Sequence, residues 1–217
     1  MERRSALKNM GLAFGYAVAT PTLFSLLQSC KGKPSYAEWT PSFLDKEQGY
    51  AMAQTLDVIL PKTDTPSATE MNVHVFIDAY LDEVMPLEQR DFVVMKMNKF
   101  YEKVLADSGK ETLMDIEPTD IEPTLQMYLR KRSKEEEETH SEAIMNYMEA
   151  IMKGGEGSLD DDIARFSFAN DLRDLATWAY KSSEYVGEEV LAYLPIPGEY
   201  IPCGDMATLT GGKAWSL

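Results

Sequence analysis

The side chains best suited to chemistry are two histidines and two cysteines, the residue types that bind zinc or act as nucleophiles. His74 and His140 lie far apart in the chain, as do Cys30 and Cys203. Neither pair has the spacing of a zinc site, a covalent haem motif or an iron–sulfur motif. His74 stands between two valines, which indicates a partly buried histidine rather than a metal ligand. Glycine-rich phosphate-binding motifs are also missing, so we expect no cofactor in this chain.

Three consecutive acids, Asp160–Asp162, form a second candidate for chemistry, since carboxylates bind calcium. They lack the alternating ligands, the central glycine and the closing glutamate of an EF-hand loop. Acids directly before Ile163 favour the positive end of a helix, so we expect a helix N-terminus here. The many other carboxylates offer acid–base pairs, among which the sequence does not choose.

The first thirty residues have the composition of an export signal. Arg3 and Arg4 precede an apolar run of about 18 residues, short for a membrane span, which needs roughly 20. A basic start followed by a short apolar core indicates a secretory signal, here of the twin-arginine type. The run ends in a segment that resembles a lipobox, with Cys30 as the acylated residue. A plain signal with an incidental cysteine and an uncleaved anchor remain open. We predict a signal over 1–29, a tether over 30–39 and one domain over 40–217.

Charge limits the partners of the mature chain. The full sequence has a formal net charge of −15, and residues 1–29 contain three basic side chains and one acidic side chain. Removing them would leave −17, a charge that repels nucleic acid and anionic lipid surfaces. We therefore expect no nucleic-acid partner. Loss of the signal would also leave a chain long enough for one domain with a sizeable core.

Apolar residues recur at helical spacing through most of this domain, whereas alternating strand patterns are rare. We expect a first helix from Thr40 and Pro41 to Pro61, and a second that Pro86 ends. A third stripe follows, and Pro118 opens the fourth. A charged run over 130–138 leads into another helix, and the last begins near Ile163. The fold class predicted is all-α: a single bundle of about five or six helices.

The C-terminal segment, 184–217, departs from this pattern. Three prolines and two glycines between Pro195 and Gly204 exclude a helix there. Its apolar side chains require a surface, either of its own bundle or of another protein. If Cys30 carries lipid, Cys203 has no partner within the chain, so it is either paired between chains or buried, and burial is the commoner fate of a lone cysteine.

Three segments resemble the gluconate 2-dehydrogenase subunit 3 family, the small or gamma subunits of membrane-bound flavin dehydrogenases. The first is the twin arginine at Arg3 and Arg4. The second runs over 56–78 and contains Pro61, Thr63-Asp64-Thr65-Pro66 and Phe76-Ile77-Asp78, with Ser67 where the family pattern has glycine. The third is the tail over 180–200, with its Pro195-Ile196-Pro197-Gly198 ending. The acidic middle, 107–157, matches no part of the pattern.

The resemblance implies a non-catalytic subunit. Its expected partner is a large FAD-binding subunit of the glucose–methanol–choline oxidoreductase type, with a cytochrome as a possible further subunit. The small subunit would supply the export signal and support maturation of the flavoprotein. We expect it on the periplasmic side of a bacterial membrane, anchored through Cys30. The matching motifs give these candidates for docking to the partner: Thr63, Asp64, Tyr193, Pro195, Ile196, Pro197 and Tyr200.

Two other classes of function remain as alternatives. One is a stand-alone structural or binding lipoprotein of the cell envelope. The other is a small oxidoreductase or hydrolase with an unrecognised site, because resemblance to a family does not prove function.

Overall fold

The structure is a computed structural model that describes residues 35–194, 196, 198, 201 and 203–216. Arg3, Arg4 and Cys30 lie outside the described residues, so the export signal and the lipidation site remain predictions from the sequence. Within the described part, the residues before Trp39 contain one 3-10 turn, Ser35–Ala37, and the chain from Trp39 onward forms a separate compact unit.

This unit is helical, as predicted, and its described residues contain no β-strand. Among the residues described, six main helices form the bundle, which confirms the expectation of five or six, and a short seventh lies in the C-terminal segment. The helices are α1 (Lys46–Ile59), α2 (Val73–Glu83), α3 (Leu87–Ser108), α4 (Pro118–Tyr128), α5 (Lys134–Met152), α6 (Asp161–Lys181) and α7 (Met206–Thr210). No described helix has both the length and the apolarity required to cross a membrane.

The start of α1 differs from the prediction of a helix beginning at Thr40 and Pro41. Asp45 caps the helix instead, because its Oδ1 accepts a hydrogen bond from Gln48 N at 2.8 Å, and Asp45 N in turn donates to Gln48 Oε1 at 3.3 Å. Such a reciprocal capping box satisfies two backbone N–H donors at once. Thr40 followed by Pro41 offers no second side chain of this kind, so it is the weaker helix start. Phe43 and Leu44 therefore lie in the segment before the helix.

The other predicted boundaries hold more closely. The first helix ends at Ile59, just before Pro61, and α4 begins at Pro118. The second ends at Glu83, and Pro86 serves as the residue that precedes α3. A proline fits there because the first turn of a helix leaves backbone N–H groups unpaired in any case.

Helix α6 lies at the centre of the unit and packs most extensively against α3, with further contacts to α1, α2 and α4. The core is continuous across these five helices. Its largest fully buried side chains are Met52, Leu56, Val73, Ile77, Leu81, Met97, Phe100, Tyr101, Val104, Ile116, Ile121 and Tyr128. Burial of such side chains stabilises a fold by about 1.5–3 kcal/mol each before entropy is counted.

Helix α5 has a different character. It follows the charged run, is capped by a Ser133–Glu136 box, and none of its residues is buried. The charged run over 130–138 leads into this helix as predicted, but Arg132 within it is buried, and its guanidinium lies 3.9 Å from the centre of the Phe166 ring. Phe92 of α3 stacks on Tyr147 of α5 at a centroid distance of 5.0 Å, so the helix is nevertheless held against the bundle.

After α6 the described chain forms a π-helical turn, Val186–Val190, and then an irregular segment interrupted by α7. The segment over 184–217, which we expected to depart from the helical pattern, thus contains a π-helical turn and one short helix beside irregular backbone. Cys203 is exposed, so burial, the commoner of its two predicted alternatives, is wrong. Its side chain lies in a segment that buries no described side chain after Gly187.

Candidate functional site

The two histidines serve separate local structures. His74 is 3% exposed and packs edge-on against Trp39, with ring centroids 4.8 Å apart. Burial lowers the pKa of His74, although the nearby Asp57 carboxylate acts in the opposite direction. Arg132 Nη1 lies 2.8 Å from His140 Nε2. Partial burial, together with the charge of Arg132, lowers the pKa of His140. No group of three His, Cys, Asp or Glu side chains among the described residues converges to hold a metal ion.

The acidic triplet before Ile163 is committed to the start of α6. Asp160 Oδ1 accepts hydrogen bonds from the backbone N–H groups of Asp162 at 2.9 Å and Ile163 at 3.3 Å. Asp161 pairs with Lys99 at 3.1 Å, and Asp162 accepts the Tyr128 hydroxyl at 2.7 Å. The three acids lie at the start of α6, as predicted; Asp160 caps the helix, and the other two side chains have partners elsewhere in the fold.

Two carboxylates in the family-like segment have structural tasks that the sequence does not reveal. Asp78 is buried and accepts hydrogen bonds from the backbone of Ser42 at 2.5 Å and Leu44 at 2.9 Å. Asp57 accepts from Thr69 N at 2.9 Å and from Thr69 Oγ1 at 2.7 Å. These carboxylates fix the segment before α1 and the α1–α2 loop, so neither is free for acid–base work.

The docking candidates Thr63 and Asp64 lie at the exposed tip of the α1–α2 loop. The tip is a tight turn in which Thr63 N donates to Thr65 O at 3.0 Å. The base of the loop is fixed more firmly, because the Tyr180 hydroxyl of α6 donates to Pro66 O at 2.6 Å. The loop thus presents its tip from a rigid base, next to α6.

The tail candidates divide between described and undescribed residues. Tyr193 and Ile196 are exposed, with 50% and 80% of their surface accessible, whereas Pro195, Pro197 and Tyr200 lie outside the described residues. The ends of this segment meet each other: Ala192 N donates to Ala214 O at 2.8 Å, and Ser216 N donates to Ala192 O at 2.9 Å. The segment is therefore a loop whose two ends are hydrogen-bonded to each other, and the described apolar side chains along it face solvent.

A second apolar surface, which the sequence interpretation missed, lies where α2 packs on α6. Phe76 and Tyr80 of α2 meet Trp178 of α6, with ring centroids of Trp178 5.3 Å from Phe76 and 6.0 Å from Tyr80. We call these three residues the aromatic cluster. Phe76 is 41% exposed and Trp178 is 45% exposed, although their positions in the apolar stripes predicted a buried face. The available signal was the width of the α2 stripe, which is too broad for one buried face.

A cavity of about 280 Å³ opens beside this cluster at Tyr80. Its wall is mostly apolar, with Ile77, Leu81 and Leu175 among the lining residues. One polar feature is built into it: Lys96, almost fully buried, pairs with Asp171 and donates to Ser167 Oγ at 3.0 Å. The Lys96 ammonium also lies 4.3 Å from the centre of the Phe92 ring, which satisfies the charge further.

At the other end of the same helix pair lies an acidic groove of about 410 Å³. Met71 and Tyr185 form its apolar part, and Glu184, Glu188 and Glu189 supply its charge. All three glutamates are exposed. None of the ion pairs among the described residues involves them. The arrangement can bind another molecule through apolar contact and negative charge.

Comparison with known proteins identifies one family. The family model described as gluconate 2-dehydrogenase subunit 3 matches residues 46–198, from the start of α1 into the C-terminal segment. No curated protein and no solved structure gives a significant match. The matched range contains the aromatic cluster, the α1–α2 loop and the acidic groove.

Proposed function

The chain belongs to the gluconate 2-dehydrogenase subunit 3 family, and from this we propose that it is the non-catalytic small subunit of an exported, membrane-associated, FAD-dependent sugar or polyol dehydrogenase. Membership of a subunit family implies a complex with other dehydrogenase subunits. The family match over residues 46–198 is the observation that carries the proposal.

The catalytic partner, in this proposal, holds the FAD and oxidises the substrate, and a cytochrome subunit can take up the electrons. The small subunit contributes export and attachment. Arg3 and Arg4 direct the folded complex to the twin-arginine route, and acylated Cys30 holds it at the periplasmic side of a membrane. More than one acyl chain on that cysteine would make the attachment stable.

Features of the described residues support a role in binding rather than catalysis. Aromatic rings are exposed on α2 and α6, and further apolar side chains are exposed on the C-terminal loop, among them Leu194 and Trp215. Large apolar side chains that are exposed close together mark interaction sites on a protein surface. Thr63, Asp64, Tyr193, Pro195, Ile196, Pro197 and Tyr200 remain the residues proposed to touch the partner from the family-like motifs.

Co-purification tests the proposal directly. The full chain, tagged after Leu217 and expressed with its native genomic neighbours, should retain a larger subunit that carries flavin absorbance and is identified by mass spectrometry as an FAD-binding dehydrogenase. Recovery of the chain alone from mild-detergent extracts would contradict the proposal and favour a stand-alone envelope lipoprotein. Oxidation of sugars by the isolated chain would favour an enzyme.

Two variants separate export from attachment. Arg3→Lys with Arg4→Lys should leave the flavoprotein in the cytoplasm, because the twin-arginine route depends on the arginine pair. Cys30→Ser should leave export intact but move the complex from the membrane to the soluble periplasmic fraction. Unchanged fractionation of the flavoprotein in either variant would remove the corresponding role from this subunit.

A further inference from the structure

Within the part of the chain that the structure describes, the face formed by α2 and α6 presents an exposed surface with a definite order of features. The aromatic cluster stands in the middle, the cavity beside Tyr80 lies at one end, and the acidic groove between Met71 and Tyr185 lies at the other. We call this the α2–α6 face. It differs from the docking candidates of the sequence motifs, which lie on the α1–α2 loop and the C-terminal loop.

The rings of this face are half covered by each other, which leaves their outer surfaces to water. A stacked or edge-on aromatic group orders its members at low entropic cost and presents a rigid apolar platform. Such platforms are enriched at the centres of protein interfaces, where an aromatic anchor fills an adjacent pocket. The cavity at Tyr80 is a pocket of this kind, open and lined mainly by aliphatic and methionine side chains.

The charge of the face selects the occupant. Asp171 and Asp174 near the cavity are already paired, with Lys96 and Arg173 respectively. The three glutamates of the acidic groove are not paired among the described residues, and they surround Tyr185 and Met71. Carboxylates placed beside aromatic and methionine side chains suit a lysine or arginine, whose methylene groups lie on the apolar part while the charged end meets the acids.

The same charge disfavours two other occupants. A symmetric contact with a second copy would place Glu184, Glu188 and Glu189 of both chains at one interface, where like charges repel. An anionic lipid surface would be repelled by the same glutamates and by the net charge of −15 of the whole chain. A basic protein segment meets neither obstacle.

We propose that the α2–α6 face binds the catalytic dehydrogenase subunit through an apolar side chain anchored at the aromatic cluster and its cavity, flanked by lysine or arginine that enters the acidic groove. This inference rests on the proposed function and assigns the binding surface within it. Phe76 and Trp178 are the anchor contacts on this chain, and Glu184, Glu188 and Glu189 are the electrostatic contacts.

Paired substitutions with matched controls test the anchor. The full tagged chain with Phe76→Ala and Trp178→Ala should retain at least tenfold less flavoprotein than the wild type. The control, Met145→Ala with Met152→Ala, removes two apolar side chains on α5 that are 64% and 76% exposed, and it should retain the wild-type amount. Equal retention by the anchor variant and the control would overturn the proposal.

A charge-reversal variant keeps the test valid if loss of two rings lowers the thermal stability of the fold. Glu184→Lys, Glu188→Lys and Glu189→Lys should reduce flavoprotein retention at low salt at least tenfold. Lysine at three other exposed glutamates, Glu138, Glu142 and Glu156, changes the net charge equally and should leave retention unchanged. Equal loss in both triple variants would reduce the effect to net charge and overturn the assignment of the face.

Photo-cross-linking identifies the occupant. The full chain with p-benzoyl-phenylalanine in place of Trp178, expressed in the native complex, should cross-link to a catalytic-subunit peptide that contains lysine or arginine beside an apolar residue. A cross-link to a second copy of this chain, a cross-link to lipid, or no cross-link while the flavoprotein still co-purifies would overturn the proposal. If the wild-type chain retains no flavoprotein at all, the proposed function itself fails and this inference falls with it.

Discussion

Asp78 Oδ1 lies 2.9 Å from the backbone nitrogen of Leu44, which precedes it by 34 residues in the chain. Oδ2 of the same carboxylate accepts from Ser42 N, so one buried side chain of α2 satisfies the backbone of the segment that leads into α1. Hydrogen bonds to an ionised acceptor are stronger than those between neutral groups. The connection explains why an acidic residue stands at an otherwise apolar position of the packed face of α2.

Removal of this carboxylate should destabilise the fold strongly. We expect Asp78→Ala to lower the free energy of unfolding by about 3 kcal/mol, because buried backbone donors lose their charged acceptor. Urea denaturation followed by far-ultraviolet circular dichroism measures the change. Glu83→Ala, an exposed carboxylate at the end of the same helix, is the control and should stay within about 0.5 kcal/mol of the wild type. An equal effect of both variants would show that Asp78 has no special role.

Asp57 should control the order of the α1–α2 loop. Its bonds to Thr69 N and Oγ1 hold the end of the loop, whose exposed tip contains Lys62 and Thr63. We expect Asp57→Ala to increase the rate of tryptic cleavage after Lys62 about tenfold, because local opening needs less free energy when such contacts are lost. Thr69→Val removes only the hydroxyl bond and should have a smaller effect. Cleavage at the wild-type rate in Asp57→Ala would place the control of the loop elsewhere.

The helices follow from the sequence because burial repeats with the helical period, as Val73, Ile77 and Leu81 of α2 illustrate. Phe76 and Tyr80 belong to the same apolar pattern, yet Phe76 is exposed and Tyr80 is only half-buried. Periodicity shows which side of a helix is apolar. How many of the side chains on that side are buried depends on how the neighbouring helices pack against it. The width of the α2 stripe therefore indicates that some of its apolar side chains are exposed, but it does not show that Phe76 and Tyr80 meet Trp178.

Long-range polar partners are equally hidden. The Asp78–Leu44 and Tyr180–Pro66 contacts join residues 34 and 114 positions apart, and no local pattern specifies them. Local capping is different: Asp160 was predicted at a helix start, and the capping box of Asp45 and Gln48 was equally visible in the sequence. The predicted helix start at Thr40 is wrong because the reciprocal capping box of Asp45 and Gln48 is the stronger local signal.

The buried Lys96 ion pair should respond asymmetrically to substitution. The side chain of Lys96 is 4% exposed and that of Asp171 is 60% exposed, so only the lysine depends on its partner for charge stabilisation. We expect Lys96→Met to change the free energy of unfolding by less than about 1 kcal/mol, since an apolar residue of similar length replaces a desolvated charge. Asp171→Ala should cost about 2 kcal/mol by leaving a buried ammonium group without its carboxylate.

A double-mutant cycle checks the reason for that asymmetry. Lys96→Met combined with Asp171→Ala should be about as stable as Lys96→Met alone, because the cost of an unpaired ammonium group no longer exists. Additive losses in urea denaturation would mean that the two side chains act independently and that the ion pair is unimportant for the fold.

Stability should fall on mild acidification because of the histidines. Burial holds the pKa of His74 below its ordinary value of 6.5, and the pKa of His140 is lowered too. The unfolded chain then binds protons that the folded chain does not, so the contribution is fully present above pH 6.5 and is lost as the pH falls towards the folded-state pKa. We expect thermal melting temperatures to decrease between about pH 7.5 and about pH 5.5.

The variant His74→Phe keeps a ring beside Trp39 and removes the titrating group, so its melting temperature should depend less on pH over the same range. His140→Phe tests the other histidine, which is less buried and should contribute less. An identical pH dependence in the wild type and His74→Phe would show that other groups cause the decrease.

The C-terminal loop should be dispensable for the bundle but needed for the complex. None of the described residues from Ala192 to Ser216 is buried, whereas Val186 and Gly187, just before them, are. A chain that stops after Leu191 therefore keeps every described core side chain, and we expect its melting temperature to lie within about 4 °C of the full chain, equivalent to a loss of roughly 1 kcal/mol or less.

The same truncated chain loses Tyr193, Leu194, Ile196 and Trp215 as exposed apolar contacts, so it should retain several-fold less flavoprotein in co-purification. A truncated chain that melts normally and retains the flavoprotein fully would assign all docking to surfaces on the bundle itself, and the loop would have no part in it.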